Sequence, residues 1–231
     1  MRKLFTCLFI IGLVLFSFTV YNSAETVSDS KSVISYEYLK ARTVYIAGTA
    51  KSEDRAVQWA GTGVVVKKTE HLTYILTNNH VAGWYEDAEL DALAIYVQSE
   101  SRYIRVTSII RHKLLDMAVI IIEENLADKV AITEGVGEVF PSNKVFVVGH
   151  HLGRKYVYGE GVFAGYDGLS GIIQVPVCYG NSGSGVFDIK GRLVGLVFAI
   201  SGVNNFCVDV SHGLIVNGGD VKAFLNTMNL P

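Results

Sequence analysis

Three cysteines and three prolines in 231 residues are few, and each scarcity excludes something. So few cysteines cannot frame a disulfide-built miniprotein or a four-cysteine zinc ribbon. So little proline, with 23 scattered glycines, excludes collagen-like and low-complexity chains. Positive charge is not in excess either, the formal net charge being −2. With Arg2 and Lys3 set aside, eighteen basic side chains face twenty-two acidic ones, a net of −4. A basic nucleic-acid footprint is therefore not the theme, and no nucleic-acid partner is expected. No His-Glu-x-x-His or Cys-x-x-Cys pattern calls for a metal, and no cofactor is implied. Half of the residues are hydrophobic and 18 % are charged, the balance of a compact globular domain.

Only one apolar run is long. Arg2 and Lys3 precede residues 4–20, and Tyr21-Asn22-Ser23-Ala24 follows. A basic start, an apolar centre and a small residue before a cut make residues 1–24 a signal peptide, cleaved after Ala24. Left uncut, the same run would anchor the domain at the outer face of a membrane, and only then is membrane contact expected. Both readings place the domain outside the cytoplasm: secreted, periplasmic or at the cell surface. Residues 25–35, rich in Ser, Asp and Lys, read as a solvated tether.

The remainder reads as all-β. Runs rich in Val, Ile, Tyr and Phe occupy 43–47, 63–67, 73–77, 93–97, 103–110 and 118–122. A second set occupies 144–148, 156–164, 171–175, 185–187, 193–199 and 214–216. Many short strands at regular spacing argue for sandwiches or barrels. Two sets of about six predict two small barrels, over about 36–130 and about 140–217, in a domain spanning 36–231. One helix is predicted over 220–229, where Val221, Phe224, Leu225 and Met228 repeat at helical spacing.

Three local patterns carry chemistry. Gly180-Asn181-Ser182-Gly183 sets a serine among glycines just before a strand. Small neighbours admit a substrate carbonyl and allow a turn whose N–H groups face a developing oxyanion; the plain alternative is a Gly/Ser turn. The strand 73–77 runs into Asn78-Asn79-His80, which can present an imidazole rigidly or hold a merely structural histidine. Asp116 lies within the apolar stretch 114–122. An unpaired buried carboxylate costs several kcal/mol, so Asp116 needs a partner or a place at the rim. The pair His150-His151 would point to opposite faces of a strand, and a solvated loop before Gly153 is its expected home.

The order His80, Asp116, Ser182 resembles that of the chymotrypsin-fold serine peptidases. The resemblance covers roughly residues 40 to 228. Its motifs are Thr-x-x-His-Val at His80, Leu-Asp-x-Ala-Val at Asp116 and Gly-Asn-Ser-Gly at Ser182. That last motif and Gly61-Thr62-Gly63-Val64-Val65 are closer to HtrA-type and bacterial glutamyl endopeptidases than to digestive trypsins. The resemblance implies two six-stranded antiparallel barrels with a C-terminal helix. It implies a serine-type endopeptidase acting on a protein or peptide, with Ser182 as nucleophile, His80 as base and Asp116 orienting His80. The N–H groups of Gly180 and Ser182 would form the oxyanion hole. Pro176 and Val177 would floor the specificity pocket and Gly213 would wall it, while Phe198-Ala199-Ile200 would pair with substrate backbone. With no charge at that floor, a small or apolar residue before the cut is expected, although Asp209 and His212 lie nearby. A disulfide between Cys178 and Cys207 follows from the resemblance; two reduced thiols are the alternative.

The departures are informative. Asn181 stands where activated trypsins carry an aspartate paired with a new N-terminal amine, so that switch is not expected here. No histidine occurs in 194–198, which removes support for glutamyl specificity, and no PDZ module is expected after Pro231. The rival functions are a catalytically silent binding module on the same fold, and an esterase using the same triad.

Overall fold

A computed structural model describes residues 34–51, 56–83, 89–97, 101–126, 131–201 and 212–230. Helix α1 (Tyr36–Lys40) leads into seven strands: β1 (Thr43–Lys51), β2 (Ala56–Lys68), β3 (Thr73–Thr77), β4 (Glu89–Val97), β5 (Arg102–Arg105), β6 (Ser108–Arg111) and β7 (Ala118–Ile122). Then come β8 (Lys144–Gly149), a 3-10 turn (His151–Gly153), β9 (Val157–Asp167), β10 (Ser170–Gln174), β11 (Gly185–Phe187), β12 (Leu193–Ser201), β13 (His212–Asn217) and α2 (Gly218–Asn226).

The second set closes as a six-stranded barrel in the order β10-β13-β12-β11-β8-β9. The first set forms a curled sheet, β5-β4-β1-β2-β3-β7-β6. Its two end strands are the arms of one bent segment: Val106 N–H donates to Leu93 on β4 at 2.8 Å, and Thr107 N–H to Ile121 on β7 at 3.0 Å. The stretch 103–110 is thus two short strands rather than one, because the chain must turn a corner to serve both neighbours.

The run 118–122 is apolar throughout because both of its faces are buried. Ala118, Ile120 and Ile122 join Val44, Ile46, Ile75 and Ile95 inside the first sheet. Val119 points the other way, with Leu76, Val64 and Met117, onto Phe146, Phe187, Leu193 and Leu196 of the second set and Phe224 of α2. Alternation with period two gives one strand to two cores, and this shared core holds the two halves in register. Phe163, Ile173, Val197 and Ile215 fill the second barrel.

The helices differ from the sequence reading. Helix α2 starts two residues earlier than predicted, capped by Asn217, whose Oδ1 accepts the Asp220 N–H at 2.9 Å. Helix α1 was not anticipated; Ser35 caps it through the Tyr38 N–H, and five residues carry too little periodicity to be seen. Ile34 is buried in the shared core and Ser35 is that cap. The end of the expected solvated tether is therefore part of the folded body. The rest of the tether and the expected signal peptide lie outside the described residues. Among the described residues, no helix is long and apolar enough to cross a membrane.

Candidate active site

His80 sits in the turn that follows β3, and Asp116 lies before β7, whose first residue pairs with Thr77. Within the apolar stretch 114–122 Asp116 thus stands ahead of the strand, at its rim, and it is partnered there. Its Oδ2 is 2.6 Å from His80 Nδ1, and its Oδ1 accepts the His80 backbone N–H at 3.1 Å. One carboxylate therefore fixes both the ring and the main chain of the same residue. With the Nδ1 proton turned to Asp116, Nε2 is left as the acceptor of a neutral imidazole.

Side chains that sequence reasoning passed over hold this arrangement. Asn78 donates to the Asp116 carbonyl at 2.8 Å. Asn79 donates to the carbonyls of His112 and Leu115, each at 3.1 Å. Arg111 donates to the carbonyls of Asn79 and Ala82, at 3.2 and 2.9 Å. Two asparagines directly before His80 were the available signal, since Asn in loops habitually bonds main chain.

Ser182 is carried on two consecutive turns. Asn181 N–H donates to Cys178 at 2.9 Å, and Ser184 N–H to Asn181 at 2.8 Å. Gly180 and Gly183 are the third residues of these turns, with φ of +91° and +83°, where type II geometry demands glycine. That demand explains the spacing of the two glycines. Asn181 is itself buried, and its Oδ1 accepts the Cys178 N–H at 3.0 Å. It thus closes its own turn locally, without an ion pair.

The chain brings this turn against the segment bearing His80. Thr62 N–H donates to the Ser182 carbonyl at 2.9 Å. A Cβ on Gly61 would lie 2.7 Å from both Val81 methyls and 3.3 Å from the Ser182 carbonyl oxygen. Glycine is therefore required where the two motifs meet. The Tyr179 carbonyl accepts the Leu152 N–H at 2.6 Å; since the peptide is trans and planar, the Gly180 N–H points the opposite way.

His150 is fully buried, which corrects the expectation of a solvated loop. Its partner is the Thr62 hydroxyl, which donates to the Gly180 carbonyl at 2.7 Å and stands 3.0 Å from His150 Nδ1 and 3.2 Å from its N–H. A hydroxyl has one proton to give, so both His150 bonds donate to Thr62. The rings of Tyr45 and Tyr156 stand edge-on to the imidazole at 5.0 and 4.9 Å. Burial, reinforced by the nearby Lys155 charge, lowers its pKa from 6.5 to about 3.

Unfolded, His150 takes up a proton near ~6.5, which the folded chain refuses until about 3. The contribution to stability is complete above the upper value and is lost as pH falls towards the lower one, at up to about 1.4 kcal/mol per pH unit. Between pH 7 and 5 the wild type should lose roughly 2 kcal/mol more than His150→Asn, read from urea midpoints. Equal acid sensitivity in the two proteins would refute the assignment.

The residues expected to bind substrate fall partly together. Ile200 pairs with Gly213 across β12 and β13, and a Cβ on Gly213 would lie 2.7 Å from Val177. Val177 is buried, Pro176 is exposed, and Phe198 and Ala199 are half-buried on β12. Cys178 is buried; Cys207 and Asp209 lie outside the described residues. Among the described residues, no group of three or more His, Cys, Asp or Glu side chains could hold a metal.

An all-β chain with a closed antiparallel barrel, a second curled sheet and a C-terminal helix, bearing a His–Asp pair beside a glycine-flanked serine, has the architecture of a chymotrypsin-fold serine peptidase. Residues 61–196 match the trypsin-like peptidase domain, and the chain belongs to that family. It is 28 % identical over 188 residues to the "Serine protease HtrA-like" of Staphylococcus epidermidis, covering 72 % of this chain and 30 % of that protein. For the protein of the same description in Staphylococcus aureus the values are 27 % over 201 residues, 78 % and 24 %. The chain thus spans less than a third of the length of these relatives. The solved structure "HtrA-type protease AlgW with decapeptide" superposes with a TM-score of 0.67 at 16 % identity, over 84 % of this chain and 67 % of that one. A variant of that protease with tripeptide gives 0.65 at 17 %.

Proposed function

We propose that this chain is a serine endopeptidase that works outside the cytoplasm and cleaves peptide bonds through an acyl-enzyme. The observation that carries the reading is the doubly bonded Asp116–His80 pair set against the turn that bears Ser182. Ser182 Oγ attacks the scissile carbonyl while His80 Nε2 takes its proton and then returns it to the leaving amine. Asp116 keeps the proton on Nδ1 and stabilises the imidazolium. The N–H groups of Gly180 and Ser182 receive the oxyanion, a role favoured by the held Tyr179–Gly180 peptide.

Substrate backbone is expected to add as a strand along Phe198-Ala199-Ile200. Val177 and Gly213 bring no charge to the pocket, which favours a small or apolar residue before the cut. That two structural neighbours were solved with peptides supports a peptide substrate. The local closure of Asn181 supports activity that does not wait for a new N-terminal amine. The export reading of residues 1–24 and a disulfide at Cys178 support each other, since such a bond persists outside the cytoplasm. The partner of Cys178 in this reading is Cys207, which closes a loop around the nucleophile.

The test is fluorophosphonate labelling of the purified chain, with the modified residue located by mass spectrometry and Ser182→Ala and His80→Ala run beside it. Labelling at Ser182 that disappears in both variants is expected. A folded wild type that stays unlabelled would instead make the chain a silent binding module. A labelled chain that cleaves esters and no peptide would make it an esterase.

A further inference from the structure

We propose that His112 is a positioning residue for Asp116, resting on the triad reading above: its imidazole closes the loop that presents the carboxylate. Residues 112–116 link β6 to the start of β7, and the loop is tied at both ends. The His112 N–H donates to the Met117 carbonyl at 2.9 Å, and Asn79 gathers the carbonyls of His112 and Leu115. Inside the loop, His112 Nδ1 accepts the Leu114 N–H at 3.1 Å and the Leu115 N–H at 2.8 Å. This is the work an Asp, Asn or Ser side chain performs at a turn or N-cap, satisfying main-chain donors two and three residues ahead.

The tip of the loop has no such support from packing. The Leu114 side chain is 90 % exposed, so its packing cannot define the loop. The His112 ring is held from outside, edge-on to Phe224 of α2 at 5.2 Å. The cap thus connects the C-terminal helix to the loop that ends in Asp116. Asp116 in turn must meet two donors of His80, at 3.1 and 2.6 Å. Without the cap, Leu114 and Leu115 lose their acceptor, the loop gains alternative conformations, and the carboxylate is no longer fixed on Nδ1. A displacement of about 1 Å at such a group can cost ~10²-fold in rate.

Two variants of the full chain separate positioning from plain stability. His112→Phe keeps a ring against Phe224 and removes the acceptor. His112→Asn supplies an amide oxygen in the place of Nδ1 and restores the cap. The first readout does not need catalysis: the low-field proton resonance of the His80 Nδ1–H bond, assigned by its loss in Asp116→Asn. It should persist in the wild type and His112→Asn, and weaken or vanish in His112→Phe. The second readout is peptide cleavage, where His112→Phe should lower kcat about tenfold to a hundredfold with KM within twofold, and His112→Asn should stay near the wild type.

An unchanged resonance in a folded His112→Phe would overturn the proposal. So would equal losses in both variants that follow their melting temperatures. If the wild type neither cleaves nor labels, the peptidase reading fails, and the resonance still decides whether His112 positions Asp116.

Discussion

Asp116→Asn is expected to lower kcat by about 10⁴-fold while leaving the melting temperature within a few degrees of the wild type. The reason lies in which oxygen faces which donor. Oδ1 accepts the His80 main-chain N–H, a donor that cannot change character. An asparagine must therefore turn its own oxygen to that N–H, and its NH₂ group then occupies the place of Oδ2, 2.6 Å from Nδ1. An amide there donates, so Nδ1 must accept, and the ring proton moves to Nε2. The imidazole keeps its position and loses its function as a base, because Nε2 has no lone pair to offer Ser182. Folding is spared because the geometry is nearly isosteric and both bonds survive with one reversed. Active-site titration with a fluorophosphonate, followed by kcat on the titrated fraction, reads the effect. A variant within tenfold of the wild type would show that the pair does not set the tautomer.

Much of the fold is legible because strand periodicity and burial are local properties. Short runs of alternating or wholly apolar character announce β2, β3 and β7 whatever they pack on. What escaped was decided by partners, near or distant, that composition does not reveal. The stretch 103–110 has the composition of a single strand, and only the positions of β4 and β7 on either side force its bend at Val106. Ser35 looks like any polar residue until the Tyr38 N–H is placed over it. His150 and His112 show the same limit more sharply. Each stands just past an apolar run, and nothing nearby in sequence separates it from a solvated side chain. One is buried because Thr62, 88 residues away, supplies a hydroxyl. The other is an acceptor because its own loop curls back on Nδ1.

The site motifs were legible for a different reason. Glycine at 180 and 183 is dictated by backbone angles, a constraint that leaves its mark on sequence without reference to any partner. The order His80, Asp116, Ser182 becomes chemical only when the shared core brings the two halves together. Residues such as Val64, Leu76 and Val119, which look like ordinary β-strand content, supply that juxtaposition.

Gly180→Ala carries the second large effect. At φ +91° an L-residue is strained, and the added Cβ would lie 2.2 Å from the His150 carbonyl oxygen. That neighbour is main chain at the end of β8 and cannot step aside as a side chain would. The turn relieves both problems by exchanging type II for type I, whose third residue has φ near −90°. The exchange rotates the Tyr179–Gly180 peptide by about half a turn. The Tyr179 carbonyl then leaves the Leu152 N–H, and the N–H of residue 180 swings away from the oxyanion. Loss of one such donor costs about 10²–10³ in kcat, with KM little altered, since the donor is engaged mainly in the transition state. Gly153→Ala is the matched control: its φ of +75° is equally unfavourable, but no atom lies within 4 Å of the added Cβ. It should lower stability by roughly 1–2 kcal/mol and leave kcat near the wild type. If Gly180→Ala retains kcat within threefold, or if both variants lose activity alike, the Gly180 N–H is not an oxyanion donor.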